Sequence, residues 1–158
     1  MSGTASAAAR WLDSTSNRTF LLWPALLIAA EALLQQGLPR IDPWGLPLLA
    51  WGYLQYRLVG KHRLREGGGG PGISIPPQRL VVTGLYRYCR NPMYLGHLIF
   101  LAGLAGALHS WLGAGVFAFH AFWFQRRVLE DEARLAALFG EPYRGYMARV
   151  KRWIPGLL

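Results

Sequence analysis

An all-α integral membrane protein with about four transmembrane helices is the fold class this sequence predicts, and three observations predict it. Of its 158 residues 53% are hydrophobic, the apolar residues gather in four stretches, and the basic residues crowd alternate connections between them. The seven tryptophans are spread along the chain and mark no single core. A formal charge of +9 raises nucleic acid as a partner. The basic residues form no patch interleaved with polar readout groups, so nucleic acid is excluded. The single cysteine, Cys89, rules out an intrachain disulfide or a Cys-rich zinc site, and no pair of histidines has ligand spacing, so no metal is expected.

The elements follow in order. The first residues are small and polar (SGTASAAAR). The apolar run from Phe20 to Leu34 ends at Gln35-Gln36 without a small-residue cleavage site, so it is expected to remain as a span. The second run, Trp44 to Val59, follows Asp42-Pro43, and the third, Met93 to Leu108, follows Asn91-Pro92. In both, a capping side chain precedes a proline suited to the first helical position. The fourth, Trp111 to Phe124, is capped by Ser110. Each run is shorter than the roughly 20 residues of an ideal span. Polar flanks extend them to about 19–37, 43–61, 92–108 and 111–125. Of the 17 basic residues all but Arg40 fall on one side of this arrangement. Both termini, the long middle connection and any active site are therefore expected on the cytoplasmic face of an inner or plasma membrane, with residues 1–158 as one membrane domain.

In the middle connection, Gly67 to Gly70 of REGGGGPGISIPPQR is either a flexible linker or a loop whose backbone approaches something closely; the linker is favoured on composition. ISIPPQRLVVTGLYRY then turns at Thr83-Gly84. Gly103, Gly106, Gly113 and Gly115 suit close helix packing. After the fourth span, RRVLEDEARLAAL continues as an amphipathic helix that Gly140 ends. A second short helix follows Glu141-Pro142 with Tyr143, Tyr146 and Val150 on one face. Trp153 beside Lys151 and Arg152 suits a membrane-interface anchor.

Polar chemistry converges in two places. A helix starting at Pro92 offers free backbone N–H groups, with Tyr86, Arg87, Arg90 and Tyr94 nearby, which suits a carboxylate or phosphate. The competing use has Asn91 only capping that helix while the arginines meet lipid headgroups. In the tail, Arg127 and Asp131, Arg126 and Glu130, and Glu130 and Arg134 are each four residues apart, as surface ion pairs are. Glu31, His97 and His120 are ionisable groups within spans, functional candidates by default. Glu31 lies close enough to Gln35 to reach water, and His97, one turn after Tyr94, is the candidate for lining a site.

TGLYRYCRNPMYLG resembles the Arg-His-Pro-x-Tyr-x-Gly region of the isoprenylcysteine carboxyl methyltransferase family, relatives of the phospholipid methyltransferases. EDEARLAALFGEPYRGYMARVKRWIP resembles that family's closing signature. The resemblance implies an integral membrane methyltransferase that uses S-adenosylmethionine, with cofactor-binding elements at about 76–97 and 126–155. The implied cofactor contacts are Gln78, Arg79, Leu80, Val81, Tyr86, Asn91, Pro92, Met93 and Tyr94, to which the residue reading adds Arg90 and His97. The implied substrate-side pair is Arg127 and Asp131, with Glu132 as second acid. Asn91 stands where the family has histidine, which removes a group titrating near neutral pH, and Asp131 replaces a longer glutamate. The implied substrate is lipophilic: a prenylated, lipid or other amphipathic carboxylate, thiol or amine. Competing readings are an NADPH-dependent reductase of related membrane fold and a non-catalytic scaffold. GGGGPG supplies no dinucleotide fingerprint.

Overall fold

The structure is a computed structural model that describes residues 7–70 and 75–154; Pro71, Gly72 and Pro155, part of the sequence reading, lie outside them. Among the described residues it is all-helical. Helix α1 covers Ala7–Asp13 and α2 Thr15–Leu34, the latter with a π-helical segment at Arg18–Leu22. Helix α3 covers Leu46–Gly67, α4 Pro92–Ala107, α5 Trp111–Phe139 and α6 Glu141–Arg149. Short 3-10 turns at Pro43–Gly45 and Gly84–Arg87 lead towards α3 and α4.

Local chemistry sets most of the boundaries. Asp42 Oδ1 accepts from the Trp44 N–H at 3.0 Å and Ser110 Oγ from the Gly113 N–H at 2.9 Å, the expected caps. Gly140, at φ 62°, ends α5. Asn91 differs from expectation: it makes no side-chain cap, and its Nδ2 instead donates to distant partners described below, which turn the side chain towards them.

Helices α3 and α4 touch backbone to backbone. A Cβ on Gly52 would stand 2.5 Å from Phe100 N, one on Gly103 2.7 Å from Leu49 N, and one on Gly45 2.5 Å from Ala107 N. Gly113 packs against Ala105, but Gly106 and Gly115 have nothing within 4 Å of where a Cβ would lie, so the packing expectation fails for those two. Phe124 and Val128 of α5 bury fully against Tyr94, and Leu27 of α2 against Leu104 and Leu108. Trp23 Nε1 donates to His120 Nε2 at 3.2 Å, tying α2 to α5.

One end of the bundle is held by short links. The Asp42 N–H donates to Ala107 O at 2.7 Å, His109 Nε2 lies 2.7 Å from Asp42 Oδ2, and Ser110 Oγ donates to Glu31. Glu31 is thus buried and bonded, contrary to the expectation that it reaches water. The other end carries the long connection and the tail.

Outside, the molecule is unusually apolar. Leu33 is 80% exposed, Trp44 86% and Trp111 88%, with Leu58, Phe119 and Phe122 also exposed. Among the described residues one helix, Thr15–Leu34, is long and apolar enough to cross a membrane; Pro92–Ala107 is apolar but shorter.

Candidate active site

The end with the long connection holds an open cavity of about 740 Å³, part of it continuous with solvent. The loop after α3 forms one wall. Arg63, in the penultimate turn of α3, donates through Nη1 and Nη2 to Ile75 O at 3.0 and 2.6 Å and through Nη2 to Gly70 O at 3.3 Å, folding the loop back. The N–H groups of Gln78 and Arg79 both donate to Gly67 O, at 2.8 and 2.9 Å. A Cβ on Gly67 would meet Val81 Cγ2 at 2.7 Å, and Gly68 and Gly69 take φ of 68° and 81°. The linker reading of Gly67 to Gly70 is thereby corrected: this is a close-approach loop, glycine-rich because Pro76, Pro77 and Val81 press on its backbone. It places Pro76, Pro77, Leu80 and Val81 along the cavity, while Gln78 and Arg79 turn to the exposed side.

Tyr86, Arg90, Asn91, Met93 and Tyr94, five of the expected cofactor contacts, continue the lining. Pro92 and His97 are buried off it. His97 Nδ1 lies 2.9 Å from Met93 O, and its ring packs among Phe20, Tyr56 and Phe124, so it sits in the helix interface behind the cavity.

Helix α5 contributes Asp131, Arg134 and Leu135, and α6 contributes Tyr143 and Tyr146. Asp131 accepts from the Tyr94 hydroxyl at 2.6 Å and from Arg134 Nη2 at 2.8 Å. Its ion pair is thus with Arg134, one turn on, and the spacing that suggested Arg127 with Asp131 finds its outlet elsewhere: the Arg127 guanidinium bears on the Tyr94 hydroxyl. Arg127 itself is half-buried and outside the lining.

Glu132 also lies outside the lining and is 3% exposed. Its Oε1 accepts from Arg90 Nε at 3.0 Å and Asn91 Nδ2 at 3.1 Å. Its Oε2 accepts from Arg90 Nη2 at 3.2 Å and from Arg152 Nε and Nη2 at 3.1 and 2.9 Å. Burial alone would raise this carboxyl's pKa, but the hydrogen bonds from Arg152 and Arg90, the Arg90 charge and the Asn91 amide outweigh it and hold the group below the usual glutamate range. Around it, burial pushes the Cys89 thiol up to about 11 and the Tyr86, Tyr143 and Tyr146 phenols above their usual range, so the lining tyrosines stay neutral donors.

Sequence reasoning missed Arg63, Pro76, Pro77, Arg134, Leu135, Tyr143 and Tyr146 as lining residues. For the tyrosines a signal existed, since both were placed on one face of a short helix; for Arg63 there was none, because its partners lie across a glycine loop. Among the described residues no group of three His, Cys, Asp or Glu side chains is placed to hold a metal ion.

The cavity coincides with what the chain shares with known proteins. A family model described as phospholipid methyltransferase matches residues 71–141, from the loop through α4 and α5. The chain is 34% identical over 158 aligned residues to a protein-S-isoprenylcysteine O-methyltransferase of Mus musculus, covering 96% of this chain and 50% of that relative. With the protein of the same name from Schizosaccharomyces pombe it is 33% identical over 78 residues, 48% of this chain and 33% of the relative. The chain therefore spans half or less of the length of these relatives. These matches support an isoprenylcysteine methyltransferase-like family for the chain.

Proposed function

We propose that the protein is a membrane methyltransferase that takes S-adenosylmethionine in this cavity and methylates a lipophilic or amphipathic substrate. The observation that carries the reading is the cavity itself: a mostly apolar chamber with one ion-paired carboxylate, lined mostly by the segment that the family model covers and completed by Arg63, Tyr143 and Tyr146. Apolar walls with a few convergent polar groups are what a small-molecule site presents.

The residues present fit such a group. Asp131 offers a carboxylate to an amine, with Arg134 beside it for a carboxylate, and the neutral rings of Tyr86, Tyr143 and Tyr146 offer faces that attract a cation. Bound S-adenosylmethionine would supply an electrophilic methyl on a positively charged sulfur. The protein's share is then to position and to exclude water, since in-line displacement needs little acid–base help. Tyr94 orients Asp131 through their 2.6 Å hydrogen bond, and Met93, Leu80 and Val81 keep the floor dry. Arg127, bearing on Tyr94 from outside the lining, balances the charge at the substrate side. The leading alternative chemistry, a dinucleotide-dependent reductase, lacks support: the glycine loop follows the C-terminus of α3 and does not open a helix after a strand.

The apolar exterior supports a four-span arrangement in which α2, α3, α4 and the first half of α5 cross the bilayer. At 29 residues, α5 is about 43 Å long, so its second half projects beyond the hydrocarbon and brings Asp131 to the cytoplasmic boundary, where a lipophilic acceptor can be met from the membrane side. Titration calorimetry of the detergent-solubilised protein with S-adenosylmethionine tests the reading. Binding is expected, and its absence from well-folded protein overturns it. Asp131→Ala and Arg127→Ala are each expected to lower turnover at least 100-fold with the identified acceptor, and near-normal rates in both would return these residues to surface ion pairing.

A further inference from the structure

One buried carboxylate lies outside the cavity lining and is matched by charged and polar neighbours. Glu132 is adjacent in sequence to the lining residue Asp131 but about 100° round the helix from it, and it accepts five hydrogen bonds from three side chains. Arg90 is equally committed. Beyond its two bonds to Glu132, its Nη1 donates to Met147 O and Val150 O, both at 2.8 Å, and its own backbone N–H donates to Lys151 O at 2.9 Å. The carbonyls at the end of a helix have no intrahelical donor, so Arg90 closes the C-terminus of α6. Asn91 Nδ2 and Cys89 Sγ complete the set by donating to Arg152 O, at 3.3 and 3.4 Å.

This network bears on the cavity through α6. That helix supplies Tyr143 and Tyr146 to the lining, and Tyr146 OH donates to Tyr86 O at 2.7 Å. Its connection to α5 is Gly140, at φ 62° and with nothing within 4 Å of a would-be Cβ, so packing at the joint does not set the angle between α5 and α6. Residues 147–152 are instead fixed from across the site, by 89–91 and by one carboxylate on α5.

We propose that Glu132 is a positioning residue: by gathering Arg90, Asn91 and Arg152 it holds α6 as the cavity's outer wall, and it acts on bound S-adenosylmethionine through the lining residues it fixes, Tyr143 and Tyr146 on α6 and Arg90 and Asn91 before α4. This replaces the direct substrate-side role that sequence resemblance implied for Glu132, and it gives Asn91, where relatives have histidine, the job of an uncharged amide donor to a carboxylate that already has two guanidiniums. It rests on the cofactor reading of the cavity, but its structural half does not.

The test is Glu132→Gln in the full-length, detergent-solubilised chain, read two ways. Hydrogen exchange without ligand is expected to quicken at least tenfold in the amides of residues 143–150 while those of α3 and α4 keep their wild-type rates. The KM for S-adenosylmethionine is expected to rise at least tenfold, with a smaller fall in kcat. Because Arg152 acts through the same carboxylate, Glu132→Gln combined with Arg152→Gln should lose no more affinity than Glu132→Gln alone. Unchanged exchange in 143–150 overturns the proposal, as does a collapse of kcat at unchanged KM, the mark of a direct contact. If Glu132→Gln does not fold, Arg152→Gln, which removes one arm, takes the same two readouts. If the wild type binds no S-adenosylmethionine, the cofactor reading falls, while the exchange measurement still decides whether Glu132 sets α6.

Discussion

Glu132 has to be ionised for its three donors to be matched, and this gives single-residue chemistry a pH signature. Its folded-state pKa lies below the ordinary 4.5. The stabilisation it confers is therefore complete above the unfolded value and lost as pH falls through the folded one. The melting temperature of wild type should exceed that of Glu132→Gln by a constant margin from about pH 7 to about pH 5, and the margin should shrink towards about pH 3. A margin that persists unchanged to acid pH would show that the charge plays no part. At this scale the sequence was partly legible. Asp42 and Ser110 could be read as caps because their partners are two and three residues away. Asn91 looked the same and is not, because its partners are 41 and 61 residues distant, a separation that no local pattern encodes.

Helices α3 and α4 meet where glycine removes the side chain on both, so the cost of restoring one depends on what faces it. Gly52→Ala drives a methyl to within 2.5 Å of the Phe100 backbone, which cannot rotate away, and is expected to destabilise by about 1–3 kcal/mol or more. Gly106→Ala faces open space in a helix interior and should be neutral or slightly stabilising. Thermal unfolding of the two variants in one detergent checks the contrast, and equal losses would contradict the packing. Helix existence and order were readable from apolar runs, prolines and glycines, including the continuation of α5 from an apolar half into an amphipathic one. The glycine loop after α3 was not, since composition cannot distinguish a slack backbone from one pressed by Pro77 and Val81. The same limit hid Gly45, Gly52 and Gly96 as contact points and promoted Gly106 and Gly115, which touch nothing.

For the molecule as a whole, the four-span arrangement makes a prediction for which the lone cysteine is convenient. Cys89 is 4% exposed, and with its thiol near 11 only about one molecule in a thousand is a thiolate at pH 8. Wild type should therefore resist a membrane-impermeant maleimide and serve as a silent background. In sealed vesicles, Ser2→Cys and Arg144→Cys should label from the cytoplasmic side, and Leu38→Cys from the opposite side only. Labelling of positions 38 and 144 from the same side would overturn the orientation drawn from the basic residues. The charge segregation behind that expectation is a property of the whole sequence and can be read from it, whereas the shape of the cavity waits on contacts between its distant parts.

The Asp42, His109 and Glu31 links give the bundle a mechanical character. Helices α2, α3, α4 and α5 are linked at one end by the hydrogen bonds of Asp42, His109 and Ser110, while the opposite end is joined by extended segments, a polar clasp and the packing of Val59, Val81, Tyr86 and Met93. A 22-residue helix such as α3 is a lever about 33 Å long, so a rotation of about 5° at the fastened end moves its other end by about 3 Å. The protein is built like a pair of tongs, with the pivot at the end that carries Asp42 and His109 and the grip at the end that holds the cavity.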